Sequence, residues 1–339
     1  MKALVVGLGS IGVRHLNNLH ALGVQELAVV RSRNLVPFHA IVPKDITVFH
    51  DLDLALSQGY DLVVVANPTS LHLETLVRAL EAGSHVYVEK PLADENGPLF
   101  ELAPYLSTND SKVLVGCQLR MHPGLRKIEE WVRQDKLGQI YSVQVDLGEY
   151  LPDWHPWEDY RQSYAAREDQ GGGVVLTFIH ELDYLHWLFG KPKEVYAIGG
   201  HRTPLEITVE DTALITFETE LGICVQLRMD YWRKPPVRHM NVVAEKAIID
   251  WDYPDRRTTL KKEGKIADEI ELPQTWDRNE LFLSMMKEFL EVISHGGSPR
   301  VTLRDGIDVL KTALAVKKSL QTGEKIALEE GRDIKRVAL

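Results

Sequence analysis

Over its first third the chain alternates short apolar runs with amphipathic stretches. The apolar run Lys2–Val6 stops at Gly7-Leu8-Gly9-Ser10-Ile11-Gly12, and Val13, Leu16, Leu19 and Leu22 then recur at helical spacing up to Gly23. That order predicts a strand, a glycine turn and a helix. Further strand-like runs fall at 27–30, 46–49, 62–66, 86–88 and 113–116. Helical patterns fall at 52–58, at 71–82 between a Ser70 N-cap and Gly83, and at 98–106. Strands alternating with helices in units of about 30 residues predict a mostly parallel sheet covered on both faces. This is the first domain, residues 1–120.

The pattern changes after Arg120. A helix is expected at 122–136, followed by alternating, strand-like runs at 140–149, 194–200, 211–218, 222–230 and 239–244. Shorter runs follow at 247–252, 257–261 and 265–271. Helices at 279–293 and 303–320 close the chain around a Gly296-Gly297-Ser298-Pro299 turn. The second domain, residues 121–339, is therefore expected to be α+β, with a large, mostly antiparallel open sheet and the C-terminal helices. No internal repeat is present, and no apolar stretch approaches the roughly 20 residues of a membrane span.

Composition narrows the function classes. The 339 residues are 44% hydrophobic and 26% charged, which excludes a collagen-like, mucin-like or disordered chain. Thirty-nine basic against 49 acidic side chains give a net charge of −10. That argues against a general electrostatic grip on nucleic acid or an anionic membrane, so any phosphate binding must be local. The two cysteines, Cys117 and Cys224, lie far apart, and no secretory leader is read. Neither a disulfide scaffold nor a metal site is expected, and a cytoplasmic setting fits best.

The Gly7, Gly9 and Gly12 spacing suits a dinucleotide. Such glycines allow a tight turn, close approach of backbone to a pyrophosphate and close helix–strand packing, while the N–H groups of Ser10 and Ile11 open the helix toward the phosphates. Arg14 and His15 follow in the first helical turns, where solvent exposure or helix packing is the expectation. After the second strand an acid would bind the ribose of NAD. Here Arg31-Ser32-Arg33 stands instead, which favours NADP over NAD because guanidinium groups can pair with an added phosphate.

The glycine turn is one of several elements in a recognisable order. The others are Ala66-Asn67-Pro68-Thr69 with His72, Glu89-Lys90-Pro91, Arg120 with His122-Pro123, and Gly171-Gly172-Gly173 followed by His180-Glu181-Leu182-Asp183 and Trp187-Leu188-Phe189-Gly190. The chain so resembles the glucose-fructose oxidoreductase, inositol dehydrogenase and MocA (Gfo/Idh/MocA) family over nearly its whole length. The resemblance implies a Rossmann-type first domain, with Asn67, Pro68, His72, Glu89 and Lys90 around the cofactor. It further implies Lys90 beside the nicotinamide, His180 beside a sugar substrate, and a second-domain sheet that makes a homodimer or homotetramer. One departure stands out: Thr177 occupies the place where the family has an aspartate, one residue closer to the histidine than in inositol dehydrogenase-like members.

Oxidising a secondary alcohol requires a base for the hydroxyl proton and a donor for the developing alkoxide. Lys90 and His180 are the catalytic candidates, with the division of roles open. Asp183, three residues after His180, could share its helix face. Arg120, His122, Tyr150 and Thr177 are candidate substrate contacts. So are Trp154, Arg161, Tyr164 and Arg167 in the aromatic and basic stretch 151–170, which suits a modified or acidic sugar. Two alternatives stay open: a nicotinamide-assisted sugar lyase or glycosidase without net redox, and a non-enzymatic cofactor-sensing protein.

Overall fold

The computed structural model describes residues 1–31, 46–94, 99–106 and 112–328. In chain order the elements of the first half are β1 (Lys2–Val6), α1 (Ser10–Ala21), β2 (Glu26–Val30), β3 (Thr47–Phe49), α2 (Leu52–Leu56), β4 (Leu62–Val65), α3 (His72–Glu81), β5 (His85–Val88) and β6 (Val113–Val115). There follow α4 (Pro123–Arg133), β7 (Ile140–Tyr150), α5 (Val174–Thr177), α6 (His180–Phe189), β8 (Pro192–Gly200), β9 (Thr212–Thr219), β10 (Cys224–Asp230) and β11 (Trp232–Ala244). The chain ends with β12 (Ile248–Asp252), β13 (Arg257–Lys262), β14 (Lys265–Glu271), α7 (Asn279–His295), α8 (Leu303–Thr322) and β15 (Ile326–Ala327). They form two compact units, Met1–Gln118 with Arg278–Ile307, and Leu119–Asp277 with the segment from Asp308.

The first unit is a parallel sheet of order β3-β2-β1-β4-β5-β6. Its central strands are unbroken apolar runs because both faces are covered: every residue of β4 is fully buried. The helix α3 lays Leu73, Leu76, Ala79 and Leu80 against the sheet. Each buried leucine there contributes about 2 kcal/mol of hydrophobic stabilisation. The segment Leu99–Leu106, expected to be helical, forms 3-10 turns, and Pro104 within it cannot donate a backbone hydrogen bond.

The C-terminal helix α7, expected in the second domain, belongs to this first unit. Its Asn279 amide donates to Asn18 of α1, Phe282 packs on His15, and Met285 receives the Tyr87 hydroxyl. Sequence order misled here because α7 buries its apolar stripe on an element more than 250 residues earlier.

The second unit holds a sheet of order β14-β13-β12-β11-β7-β10-β9-β8-β15, antiparallel except for the parallel pair β7/β10. Its strands alternate buried and exposed positions, as in β9, so one face is covered and the other open. The strand β11 begins earlier than its apolar pattern predicts. Pro235 and Pro236 interrupt its ladder to β7, and the register shifts between Trp232 and Val237. Among the described residues, no helix is long and apolar enough to cross a membrane.

Candidate functional site

In the first unit, β1 delivers the chain into the glycine turn. A β-carbon on Gly12 would fall 1.9 Å from the Gly7 carbonyl oxygen, and one on Gly7 would strike Ala66 and Asn67 backbone at 2.6 Å. These two positions therefore require glycine for close packing. Gly9 differs, because a β-carbon there would meet nothing within 4 Å. Gly9 is also the N-cap of α1 and no side chain caps that helix, which leaves first-turn N–H groups of the Ser10-Ile11-Gly12 segment available to an anion. The Asn67 side chain donates to the Thr75 hydroxyl, while its Oδ1 is buried without a hydrogen-bond partner. A bare helix start and an unsatisfied buried acceptor one strand away fit a dinucleotide. Pro68 precedes the short 3-10 turn Thr69–Leu71 that leads into α3.

Arg31 directly follows β2, and its backbone pairs with Phe49 and His50. Ser32 and Arg33 lie outside the described residues.

The segment Glu89-Lys90-Pro91 leaves the end of β5 with a cis Lys90-Pro91 bond. Glu89 is buried and its Oε1 lies 2.7 Å from Nε2 of His15. Burial alone would raise the Glu89 carboxyl, but the His15 hydrogen bond and the charges of His15, Lys90 and His72 prevail and hold it below the usual carboxylate range. His15 is thus neither solvent-exposed nor aimed at phosphate. His72 is also buried, with Nδ1 2.7 Å from the Pro91 carbonyl oxygen and Nε2 2.9 Å from that of Asn67. Burial pushes His72 below the usual imidazole range against the pull of those two carbonyls. Lys90 itself is half-buried.

In the second unit, His180 is the first residue of α6 and is buried. Both acids of that first turn are paired. Asp183 takes three contacts from Arg120 at 2.7–3.1 Å, and Glu181 lies 2.9 Å from Nε of Arg238 on β11. All four side chains are buried. Burial works against the Arg238 charge, yet Glu181, Glu149, Tyr184 and Tyr253 outweigh it and keep the guanidinium protonated. Arg120 and Asp183, both expected to touch substrate, are therefore brought together with each other and lock the helix that carries His180.

Thr177 ends α5 and lies against the buried phenol of Tyr231, whose ionisation burial pushes well above the usual tyrosine range. Trp154 packs on Phe178 at 5.6 Å and on Tyr231 at 5.5 Å, so the aromatic loop does reach this region. Tyr164, in the same loop, is exposed. The loop arginines do something else: Arg161 pairs with Asp159 and Glu206, and Arg167 with Asp169, all on the exposed surface.

Two further expectations change. His122 caps α4, its Nδ1 accepting from the Gly124 N–H, and sits among Trp251, Tyr253 and Trp276. Burial first, then the Arg238 charge, lower it to about 3, so it is a neutral packing group. Tyr150 faces the open side of the sheet, opposite α6, because side chains alternate along β7. There it lines a groove of about 640 Å3 with Trp232, Arg228, Arg233 and Lys234.

Sequence reading missed Glu181, Arg238 and Tyr231. Glu181 stood in the His180-Glu181-Leu182-Asp183 motif without a role, and nothing near Arg238 in the sequence marks it. It also missed Glu210, whose carboxylate meets the Val175 N–H at 3.2 Å and fills the space over Gly173. Among the described residues no group of three or more His, Cys, Asp or Glu could hold a metal ion.

A parallel sheet whose first turn is shaped for a pyrophosphate, followed by a helix-backed open sheet, defines a two-domain nicotinamide-dependent oxidoreductase. Residues 1–117 match the model of the oxidoreductase family with an NAD-binding Rossmann fold, and residues 125–250 match the GFO/IDH/MocA C-terminal domain. The chain belongs to the Gfo/Idh/MocA oxidoreductase family, and its first domain is the family's NAD-binding domain. It is 25% identical to inositol 2-dehydrogenase of Salmonella typhimurium, over 97% of each chain. Its fold is that of a levoglucosan dehydrogenase solved with NADH and levoglucosan, at TM-score 0.86 and 15% identity, covering 97% of this chain and 100% of that one. It is also that of the WlbA dehydrogenase from Bordetella pertussis in complex with NADH and UDP-GlcNAcA, at TM-score 0.83 and 21% identity, covering 98% of both.

Proposed function

We propose that this protein oxidises a secondary alcohol of a sugar, or reduces the matching ketone, with NADP preferred over NAD as the dinucleotide. The observation that carries this reading is the bare N-terminus of α1 over Gly9, with Lys90 on the same unit and the buried His180 on the other. Bound, the dinucleotide supplies hydride acceptance or donation at its nicotinamide ring. Lys90 offers positive charge to the reacting oxygen, and His180 takes the hydroxyl proton or returns it. The Arg120–Asp183 and Glu181–Arg238 pairs hold His180 in place from two directions.

The NADP preference rests on Arg31, which follows β2 where an acid would suit NAD. A modified or acidic sugar is proposed from Arg161 and Arg167. Each already has a carboxylate partner, so an acidic substrate would bind by exchanging partners. The likeness to WlbA, solved with UDP-GlcNAcA, supports the same substrate class. The open face of the second sheet, with exposed Ile198, Leu214 and Val243, is proposed as the contact surface of a homodimer or homotetramer. A cytoplasmic setting is proposed from the cysteine usage alone.

A second reading follows from Thr177. At its place both Thr177 and Tyr231 stay neutral, so the carboxylate expected of the family is replaced by hydroxyl groups. Such a site suits nicotinamide-assisted elimination or hydrolysis without net redox.

One assay separates the two: neutral sugars, uronic acids and their nucleotide derivatives incubated with NADP and NAD while nicotinamide absorbance and products are both followed. The proposal expects absorbance change in step with product. Product without absorbance change supports the second reading, and failure to bind either dinucleotide removes both.

A further inference from the structure

We propose that Glu149 is the acid of the substrate site: its carboxylate lies beneath His180 and accepts a hydrogen bond from a sugar hydroxyl, in place of the acid that Thr177 replaces. The inference rests on the reading of His180 as the group beside a sugar hydroxyl. In the second sheet β7 lies between β10 and β11. Its Val143, Val145 and Leu147 are buried on the face that the helices cover, and Glu149 is the next residue of that alternation. On one side β10 runs parallel with Asp230 opposite Gly148, and the Leu151 N–H donates to the Tyr231 carbonyl oxygen at 3.1 Å, so Tyr231 stands beside Glu149. On the other side Arg238 pairs with Leu147, which makes it the diagonal neighbour of Glu149 on the same face. The charge of Glu149 is felt at both Tyr231 and Arg238.

The short segment that carries His180 touches the same two neighbours. Thr177 lies against Tyr231, which follows β10, and Glu181 lies 2.9 Å from Nε of Arg238 on β11. Residues 178–180 therefore cross over the end of β7, where Glu149 stands. The other carboxylates around this segment are engaged: Glu181 by Arg238, Asp183 by Arg120, and Glu210 by the Val175 N–H and by Lys317 at 3.7 Å. The Glu149 side chain has neither a hydrogen bond nor an ion pair among the described residues, and it is only half-buried, so it is open to a ligand. Its chemistry fixes what that ligand offers. A carboxylate accepts hydrogen bonds from hydroxyls and repels an acidic group. Glu149 thus selects a substrate with a hydroxyl beside the reacting carbon and turns any acidic group away from this end of the sheet.

The test is binding, on full-length protein loaded with NADPH or NADH so that an alcohol binds without reacting. Neutral sugars, uronic acids and their nucleotide derivatives are titrated by calorimetry, and the tightest binder is compared with its monodeoxy analogues in the parental protein and in E149Q. E149Q is expected to bind that sugar about tenfold more weakly. One monodeoxy analogue should lose about tenfold in the parental protein and nothing further in E149Q, because only that hydroxyl meets Glu149. T177D, which returns a carboxylate to this place, should recover most of the loss when combined with E149Q. Unchanged affinity in E149Q, or analogues that lose alike in both proteins, overturns the proposal while parental sugar binding keeps the underlying reading. A parental protein that binds dinucleotide but no sugar removes that reading, and the role of Glu149 with it.

A measurement on the parental protein guards against misfolded variants. Carboxyl groups are amidated with a carbodiimide and glycine ethyl ester, with and without the bound sugar, and read by peptide mass spectrometry. Glu149 is expected to react in the sugar-free protein, with the buried Glu181 and Asp183 spared, and to be protected when the sugar binds. Equal labelling of Glu149 in the two states, or none in either, overturns the proposal.

Discussion

The two units solve the placement of a reactive side chain in opposite ways. In the first, backbone geometry does it: glycines that no other residue can replace, a bare helix start, and a single buried histidine–glutamate contact below Lys90. In the second, two buried arginine–carboxylate pairs hold α6, with Arg120 and Arg238 arriving from elements on either side in sequence. A backbone-built site depends on local sequence and survives charge loss. A site built from buried ion pairs depends on distant partners and fails when one is removed.

The largest loss is expected at Arg120. R120M leaves Asp183 buried without its cation and should cost about 3–5 kcal/mol in urea unfolding, while R120M with D183L recovers much of it. Equal losses in the single and double variants would show that the pair is not what secures α6.

Acid should also separate the units. His122 is neutral when folded and gains a proton when unfolded, so its contribution is complete above about pH 6.5 and is lost as pH falls toward about 3. The parental protein should therefore lose up to about 4 kcal/mol more than H122N over that window, since asparagine keeps the cap without titrating. Glu89, held below the usual carboxylate range, withdraws its contribution only as pH falls through that lower value. Identical pH slopes for parent and H122N would remove His122 from the account.

Smaller effects sharpen the first unit. G12A forces backbone apart at the turn and should weaken NADPH and NADH together, by about 100-fold or about 2.7 kcal/mol, in a fluorescence titration. R31S should weaken NADPH alone, by about tenfold, because only NADPH offers the extra phosphate. An unchanged NADPH-to-NADH ratio in R31S would refute that phosphate-reading role.

The same contrast explains what the sequence made legible. The parallel sheet, the glycine turn and the alternating strands of the second sheet rest on local periodicity and turn chemistry, and apart from the early start of β11 they are found close to where the pattern puts them. The partners of Asp183 and Glu181 lie 63 positions before and 57 after, so nothing nearby announces that Arg120 binds Asp183 rather than a substrate. Arg161 and Arg167 differ: Asp159 and Asp169 stand two residues from them, a spacing that already supplies each arginine with the carboxylate partner an acidic substrate would have to replace. Tyr150 follows the period of β7 onto the open face, an outcome that depends on which face the helices cover. Helix packing was one of the two expectations for His15, but its partner Glu89, 74 residues away, left no local sign.

The proposed chemistry turns most directly on His180. Once a sugar that turns over is in hand, single-turnover reduction of NADP should be followed across pH in the parental protein and in H180N, with circular dichroism and NADPH titration as controls. The expected result is unchanged fold and NADPH affinity with hydride transfer slowed by about 100-fold and its pH dependence near neutrality lost. Parental transfer rates with the parental pH profile in H180N would contradict the assignment and hand proton transfer to Lys90 or another group.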